Sequence, residues 1–138
     1  MTVTKTLMIV AESTVVTWLL LVVASLIRAR AWTPAGLMVA FGNREQLGEP
    51  DAFTGRCDRA AKNMLENLVL FAALALTASV AGITDPQVEL GARVFFWARV
   101  VYIPVYLAGI PFLRTFVWLV GVIGMAMIFG AILAAATA

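Results

Sequence analysis

The stretch RCDRAAKNMLENLVLF, residues 56–71, decides the fold, because charged side chains here run directly into a long apolar segment. Of the 138 residues in the chain, 62% are hydrophobic and 13% are charged. A soluble domain is typically about a quarter charged, so this composition indicates an integral membrane protein. The charges that enter the apolar segment therefore need an explanation of their own.

Four apolar runs predict four transmembrane helices, each close to the roughly 20 residues that cross a bilayer. They lie at about residues 7–31, 59–83, 88–109 and 112–136, and a loop occupies about residues 32–58. Backbone groups inside lipid must be hydrogen-bonded within the protein, which makes the runs helical. We predict an all-α, up-down four-helix membrane bundle that forms a single domain over residues 1–138.

Positive charges cluster around the long loop and predict the orientation. Arg28 and Arg30 follow the first run where a signal-peptide cleavage site would be neutral, so this run is interpreted as a retained helix. Most basic residues lie in or beside the loop or at the turn between helices three and four, namely Arg28, Arg30, Arg44, Arg56, Arg59, Lys62 and Arg114. Loops rich in lysine and arginine stay in the cytoplasm, so the long loop is predicted to be cytoplasmic. With four crossings, both termini then lie on the opposite side.

Several function classes are excluded by what the chain lacks. It contains no histidine and only one cysteine, Cys57, so a Ser-His-Asp triad and an intrachain disulfide are impossible, and no metal site is expected. The net charge of +2 is too small to indicate that the protein binds a nucleic acid. We expect membrane lipids and small molecules as partners.

A polar stripe follows one face of the second predicted helix. Arg59, Asn63 and Glu66 fall within about 60° of one another at 100° per residue, and they descend from the cytoplasmic surface into the bilayer. Anchoring of a helix end at the headgroups would explain Lys62 and Arg56. It explains Glu66 poorly, because this residue lies within the hydrophobic layer.

A matching stripe occupies the third predicted helix. Arg99, Tyr102 and Tyr106 again fall within about 60°. An unpaired arginine inside the membrane costs about 2.5–3.5 kcal/mol, so we predict that Arg99 faces the bundle and pairs with Glu66. The pair could serve as interhelical glue or contact a ligand, and the tyrosines taken singly could be interfacial aromatics.

The fourth predicted helix adds a further cation and three glycines. Arg114 lies in its first turn, where the helix dipole favours anions, so it could bind an anionic ligand or simply act as a positive-inside determinant. Gly121, Gly124 and Gly130 are predicted to permit close helix approach.

Taken together, the two stripes resemble the MAPEG family, the membrane-associated proteins in eicosanoid and glutathione metabolism, and the likeness is to its bacterial-type members. Arg59, Ala60, Asn63 and Glu66 fill a pattern similar to the helix-two signature of that family. A second family pattern covers helix three and an arginine after the following turn. The chain resembles it in the same order with Arg99, Tyr102, Tyr106 and Arg114.

The resemblance implies a homotrimer that binds glutathione as co-substrate in clefts between subunits, open to the cytoplasmic side. It implies that Arg114 faces the sulfur of glutathione and that Arg28 or Arg30 reaches the glutathione of a neighbouring subunit. The remaining candidate binding residues are Arg59, Asn63, Glu66, Arg99, Tyr102 and Tyr106. The implied activity is a glutathione transferase or peroxidase that acts on a lipophilic electrophile.

The chain departs from the family pattern at two positions, and these departures narrow the implied activity. Asn67 stands where the leukotriene-forming members have an aromatic residue, and Tyr102 stands where the prostaglandin-forming branch has histidine. One alternative is a non-catalytic membrane protein that binds an anionic small molecule or a lipid headgroup in the same cleft. A small transporter is the least favoured alternative, because the outer half of the bundle is almost entirely apolar.

Overall fold

A computed structural model describes residues 4–43 and 47–137, and within these ranges the chain forms five α-helices and no strand. Arg44, which contributes to the predicted orientation, lies outside the described residues. The helices are α1 (Lys5–Ala29), α2 (Pro34–Phe41), α3 (Ala52–Val80), α4 (Pro86–Ala108) and α5 (Pro111–Thr137). The predicted all-α class is confirmed.

Four of the helices, α1, α3, α4 and α5, are long and apolar enough to cross a membrane. They alternate in direction, as contacts between the ends of α1, α3 and α4 and the packing of Gly121 and Gly124 of α5 on Arg99 and Gly91 of α4 demonstrate. At one end of the bundle, Arg28 near the end of α1 pairs with Asp58 near the start of α3 at 3.6 Å. At the other end, Lys5 of α1 pairs with Glu89 of α4 at 3.6 Å. We call these the loop end and the terminal end, respectively.

Helix α3 begins at Ala52, well before the predicted start near residue 59. Asp51 is its N-cap, and the carboxylate accepts a hydrogen bond of 2.7 Å from the backbone N–H of Thr54. This bond lowers the pKa of Asp51. The side chain satisfies one of the free N–H groups at a helix start, so the polar residues that follow are already helical and extend α3 beyond its apolar run.

The connection between α1 and α3 contains a short helix, which the sequence analysis placed in a loop. Thr33 caps α2 by accepting a hydrogen bond from the N–H of Gly36 at 3.0 Å. A Cβ at Gly36 would lie 2.0 Å from the carbonyl oxygen of Arg30. Glycine at this position therefore lets α2 pack directly on the end of α1.

The bundle interior consists of two apolar clusters that lie one above the other. Phe71 of α3 stacks on Phe95 of α4 with ring centroids 4.1 Å apart, and both belong to the cluster at the terminal end. The cluster at the loop end contains Met64, Tyr102 and Val117. Arg99 follows Phe95 by one turn and therefore lies between the two clusters.

Helices α4 and α5 approach most closely at a pair of glycines. A Cβ added to Gly124 would lie 2.6 Å from the carbonyl oxygen of Gly91, so the two backbones are nearly in contact. A Cβ at Gly121 would lie 2.8 Å from Nη2 of Arg99 on α4, whereas a Cβ at Gly130 would meet no atom of the described chain within 4 Å. The prediction of close helix approach is therefore confirmed for Gly124, whereas Gly121 packs on a side chain and Gly130 meets no other helix within the described chain.

Candidate functional site

Arg99 lies at the centre of the polar residues of the bundle, and only 2% of its surface is exposed. Its Nη1 donates a hydrogen bond of 3.1 Å to Asn63 Oδ1, and its Nη2 donates one of 3.1 Å to Asn67 Oδ1. The prediction that Arg99 faces the bundle interior is confirmed. The two amides of α3 give the guanidinium uncharged acceptors in place of water.

The predicted pairing of Arg99 with Glu66 is wrong. Glu66 points away from the bundle of its own chain, with 60% of its side chain exposed, and its carboxylate lies 4.0 Å from the ammonium of Lys62. The two residues are one helical turn apart on the outer face of α3. Arg99 is therefore held by neutral acceptors rather than by a carboxylate.

The packing of α3 explains why Asn67, and not Glu66, reaches Arg99. The buried face of this helix includes Ala60, Met64, Asn67 and Phe71, positions that recur at helical spacing. Asn67 belongs to this face, whereas Glu66 is rotated by about 100° from it. The single inward stripe predicted for Arg59, Asn63 and Glu66 is thus divided between two faces.

Asn67 is a site residue that was not predicted from the sequence. Its Nδ2 donates to the backbone carbonyl of Asn63 at 2.9 Å and to Asn63 Oδ1 at 3.3 Å, which leaves its own Oδ1 free to accept from Arg99. The spacing of Asn67 could have predicted this role, because it lies one turn beyond Asn63 and continues the polar face into the bilayer.

Two tyrosines connect Arg99 with Arg114. The guanidinium of Arg99 lies 5.2 Å from the ring centroid of Tyr102, the rings of Tyr102 and Tyr106 are 5.3 Å apart, and the guanidinium of Arg114 lies 5.1 Å from the ring of Tyr106. Both tyrosines are buried. The predicted stripe of α4 therefore forms a continuous cation–aromatic row from the middle of the bundle to the loop end.

Arg114 ends this row in a half-buried position near the start of α5. Within the described residues, no carboxylate pairs with its guanidinium. A half-buried arginine beside an aromatic face, with donors free, is suited to bind carboxylate, phosphate or thiolate.

Arg59 and Glu66 lie on the outside of the single chain. The guanidinium of Arg59 lies over Gly55, one turn earlier, at 3.2 Å from the position that a Cβ would occupy there. The structure of one chain thus brings Asn63, Arg99, Tyr102, Tyr106 and Arg114 into one row and leaves Arg59 and Glu66 on an adjoining surface.

Arg28 and Arg30 lie apart from this row, where α1 meets α2. Arg28 pairs with Asp58, whereas Arg30 is exposed and has a left-handed backbone with φ 53°. Both line a groove of about 490 Å³ between the end of α1, α2 and the segment before α3. Cys57, predicted to lie in the loop, is buried in α3.

Comparison with known families gives a match over nearly the whole chain. The model of the MAPEG family matches residues 6–134, a range that contains all four long helices apart from the ends of α1 and α5. A comparison with curated proteins gives no match.

Proposed function

The chain belongs to the MAPEG family, and from this we propose that it is a membrane-bound, glutathione-dependent transferase or peroxidase. The substrate class is a lipophilic electrophile that reaches the site from the bilayer. The observation that carries the proposal is the position of Arg114 over Tyr106, 5.1 Å from the ring. It supports Arg114 as the residue that stabilises the thiolate of glutathione.

The energetics of one arginine are sufficient for this role. The thiol of free cysteine has a pKa of about 8.5, and lowering such a pKa by two units needs about 2.7 kcal/mol. Opposite charges about 4 Å apart interact by roughly 4 kcal/mol near a protein surface. A half-buried guanidinium beside the sulfur therefore supplies the required energy, and the proton of the thiol leaves to water without a histidine.

The reaction then needs no further protein nucleophile, because the thiolate itself attacks. In conjugation, the sulfur forms a bond to an electrophilic carbon, and the leaving group departs with the electron pair of its bond. In peroxide reduction, the sulfur forms a bond to the terminal oxygen, the O–O bond breaks, and the alkoxide that leaves takes up a proton to give the alcohol. A second glutathione thiol then converts the sulfenic acid to the disulfide and releases water.

The exposed surface of α3 supports a site that is completed by a second subunit. Arg59 and Glu66 carry opposite charges, lie outside the buried row and flank the half-buried Asn63. In the proposed homotrimer they face the neighbouring subunit, where Glu66 accepts the ammonium of glutathione and Arg59 binds a carboxylate. Arg28 or Arg30 of a neighbour contributes from the groove beside α2.

The charge distribution supports a proposed orientation with the loop end in the cytoplasm. Arg28, Arg56, Arg59 and Arg114 all lie toward the loop end, and the positive-inside rule retains such residues on the cytoplasmic side. Glutathione would then enter from the cytoplasm, and the chain termini would lie on the opposite side.

Titration of the purified protein with glutathione tests the proposal directly. Ultraviolet difference absorbance reports thiolate formation, and calorimetry on the same sample reports binding. We expect both signals to saturate together. Binding of glutathione as a neutral thiol would reject the enzyme and would favour a non-catalytic protein that binds an anionic small molecule or a lipid headgroup in this cleft.

A further inference from the structure

Two buried polar groups of the bundle find no hydrogen-bond partner among the described protein atoms. They are the hydroxyl of Ser13 on α1 and Nε of Arg99 on α4. Only 3% of Ser13 is exposed, so neither group is compensated by bulk solvent or by lipid headgroups. Such groups cost free energy unless they are paired.

Both residues line one small cavity that lies between α1, α3 and α4. Its volume is about 10 Å³, close to the roughly 10–15 Å³ that a single water molecule requires. Thr17 also lines it, and because the Thr17 hydroxyl donates to the Ser13 carbonyl at 2.8 Å, its oxygen can still accept a hydrogen bond. The remaining lining is apolar and includes Met64 and Phe95.

A proline frees the backbone carbonyl of one residue that lines the cavity. Pro104 lies inside α4 and has no N–H, so the carbonyl of Val100, four residues earlier, loses its α-helical donor. Val100 is one of the residues that line the cavity. In membrane helices, carbonyls freed by proline are commonly satisfied by ordered water or by neighbouring side chains.

We propose that this cavity binds one structural water molecule, which links Ser13 of α1 to Arg99 and the freed carbonyl of Val100 on α4. The water accepts a hydrogen bond from Arg99 Nε and donates to the Val100 carbonyl and to the hydroxyl oxygen of Ser13. Buried waters typically make about three such bonds. The water completes the set of partners around the guanidinium, whose other two nitrogens bind Asn63 and Asn67.

Water fits the site better than a halide ion. An anion would accept from Arg99 and Ser13 but would face the Val100 carbonyl, an acceptor that repels negative charge. The volume of the cavity, about 10 Å³, is also close to what a single water molecule requires.

A structure of the full chain in lipid nanodiscs, at a resolution that defines ordered water, tests the proposal. We expect a single density feature within hydrogen-bond distance of Arg99 Nε and Ser13 Oγ, unchanged when chloride is replaced by bromide. A cavity without density would overturn the proposal, and so would bromide scattering at that position.

The direction of a stability change provides a second test that does not depend on resolution. If water is bound, Ser13→Ala removes one of its partners, and the midpoint of thermal unfolding falls by a few degrees. If the cavity is dry, the same substitution removes an unpaired hydroxyl, and the midpoint stays the same or rises. Ser25→Ala is the matched control, since Ser25 lies on the same helix and does not line the cavity. We expect it to leave the midpoint unchanged.

Discussion

Arg99 of α4 donates a hydrogen bond of 3.1 Å to the side-chain amide oxygen of Asn67 of α3 in the interior of the bundle. This contact, with the matching one to Asn63, holds a guanidinium between two apolar clusters, and no carboxylate of the described residues pairs with it. A buried ion pair carries two desolvation costs, whereas this arrangement carries that of one charge. The contribution of these hydrogen bonds to stability can be measured by substitutions at Asn67 and at its neighbour Glu66.

Replacement of Asn67 by leucine should destabilise the ligand-free protein by about 1.5–3 kcal/mol, because the charged guanidinium of Arg99 loses one of its two side-chain acceptors. Chemical unfolding in detergent measures the change. Glu66→Leu is the matched control on the neighbouring residue. Within its own chain, Glu66 loses an exposed pair with Lys62, of a kind worth about 0.3–0.5 kcal/mol. A larger loss for Glu66→Leu than for Asn67→Leu would contradict the assignment of Asn67 as the partner of Arg99.

Replacement of Gly121 by alanine should also destabilise the protein, because the new Cβ would lie 2.8 Å from Arg99 Nη2, and hydrogen bonds to Asn63 and Asn67 keep this guanidinium from moving away. Overpacking of this kind typically costs about 1–3 kcal/mol. In Gly130→Ala the new methyl meets nothing within 4 Å, so this variant should be neutral or more stable by up to about 1 kcal/mol from helix propensity. Equal unfolding midpoints for the two variants would show that Arg99 does not pack on Gly121.

Replacement of Arg114 by alanine should abolish most of the thiolate absorbance of bound glutathione. If Arg114 lowers the thiol pKa by about two units, its loss reduces the ionised fraction near pH 7.5 by roughly tenfold. Calorimetry should show a smaller effect on binding, since other residues hold the rest of the tripeptide. Arg93→Ala, at the terminal end of the bundle, controls for the loss of one positive charge. Unchanged absorbance in Arg114→Ala would reject the proposed role.

Cys57 should be a slow target for thiol reagents in the folded protein, because only 2% of it is exposed. We expect labelling by a membrane-permeant maleimide to be suppressed by roughly 100-fold or more relative to the unfolded chain, as for a group that reacts only after local opening. A variant that combines Cys57→Ser with Val80→Cys is the control, since Val80 is 88% exposed. Similar rates at the two positions would contradict the burial of Cys57.

Much of this arrangement could be predicted from the sequence because the bilayer imposes strict conditions. Each long apolar run has to be helical, and the position of Arg99 in the middle of such a run requires it to face the interior. The spacing of Tyr102 and Tyr106 placed them on the same face as Arg99. The start of α3 was predicted too late because hydropathy does not report an N-cap such as Asp51, whose side-chain hydrogen bond begins the helix in a polar segment.

The sequence by itself thus determined the four membrane-length helices, their alternating directions and the burial of Arg99. Only the tertiary structure decided which residue holds Arg99. Glu66 and Asn67 are neighbours in the chain but differ by about 100° around the helix axis, and both are polar residues within reach of the bilayer. The rotation of α3 against α4, which the stacking of Phe71 on Phe95 fixes, turned the amide inward and the carboxylate outward.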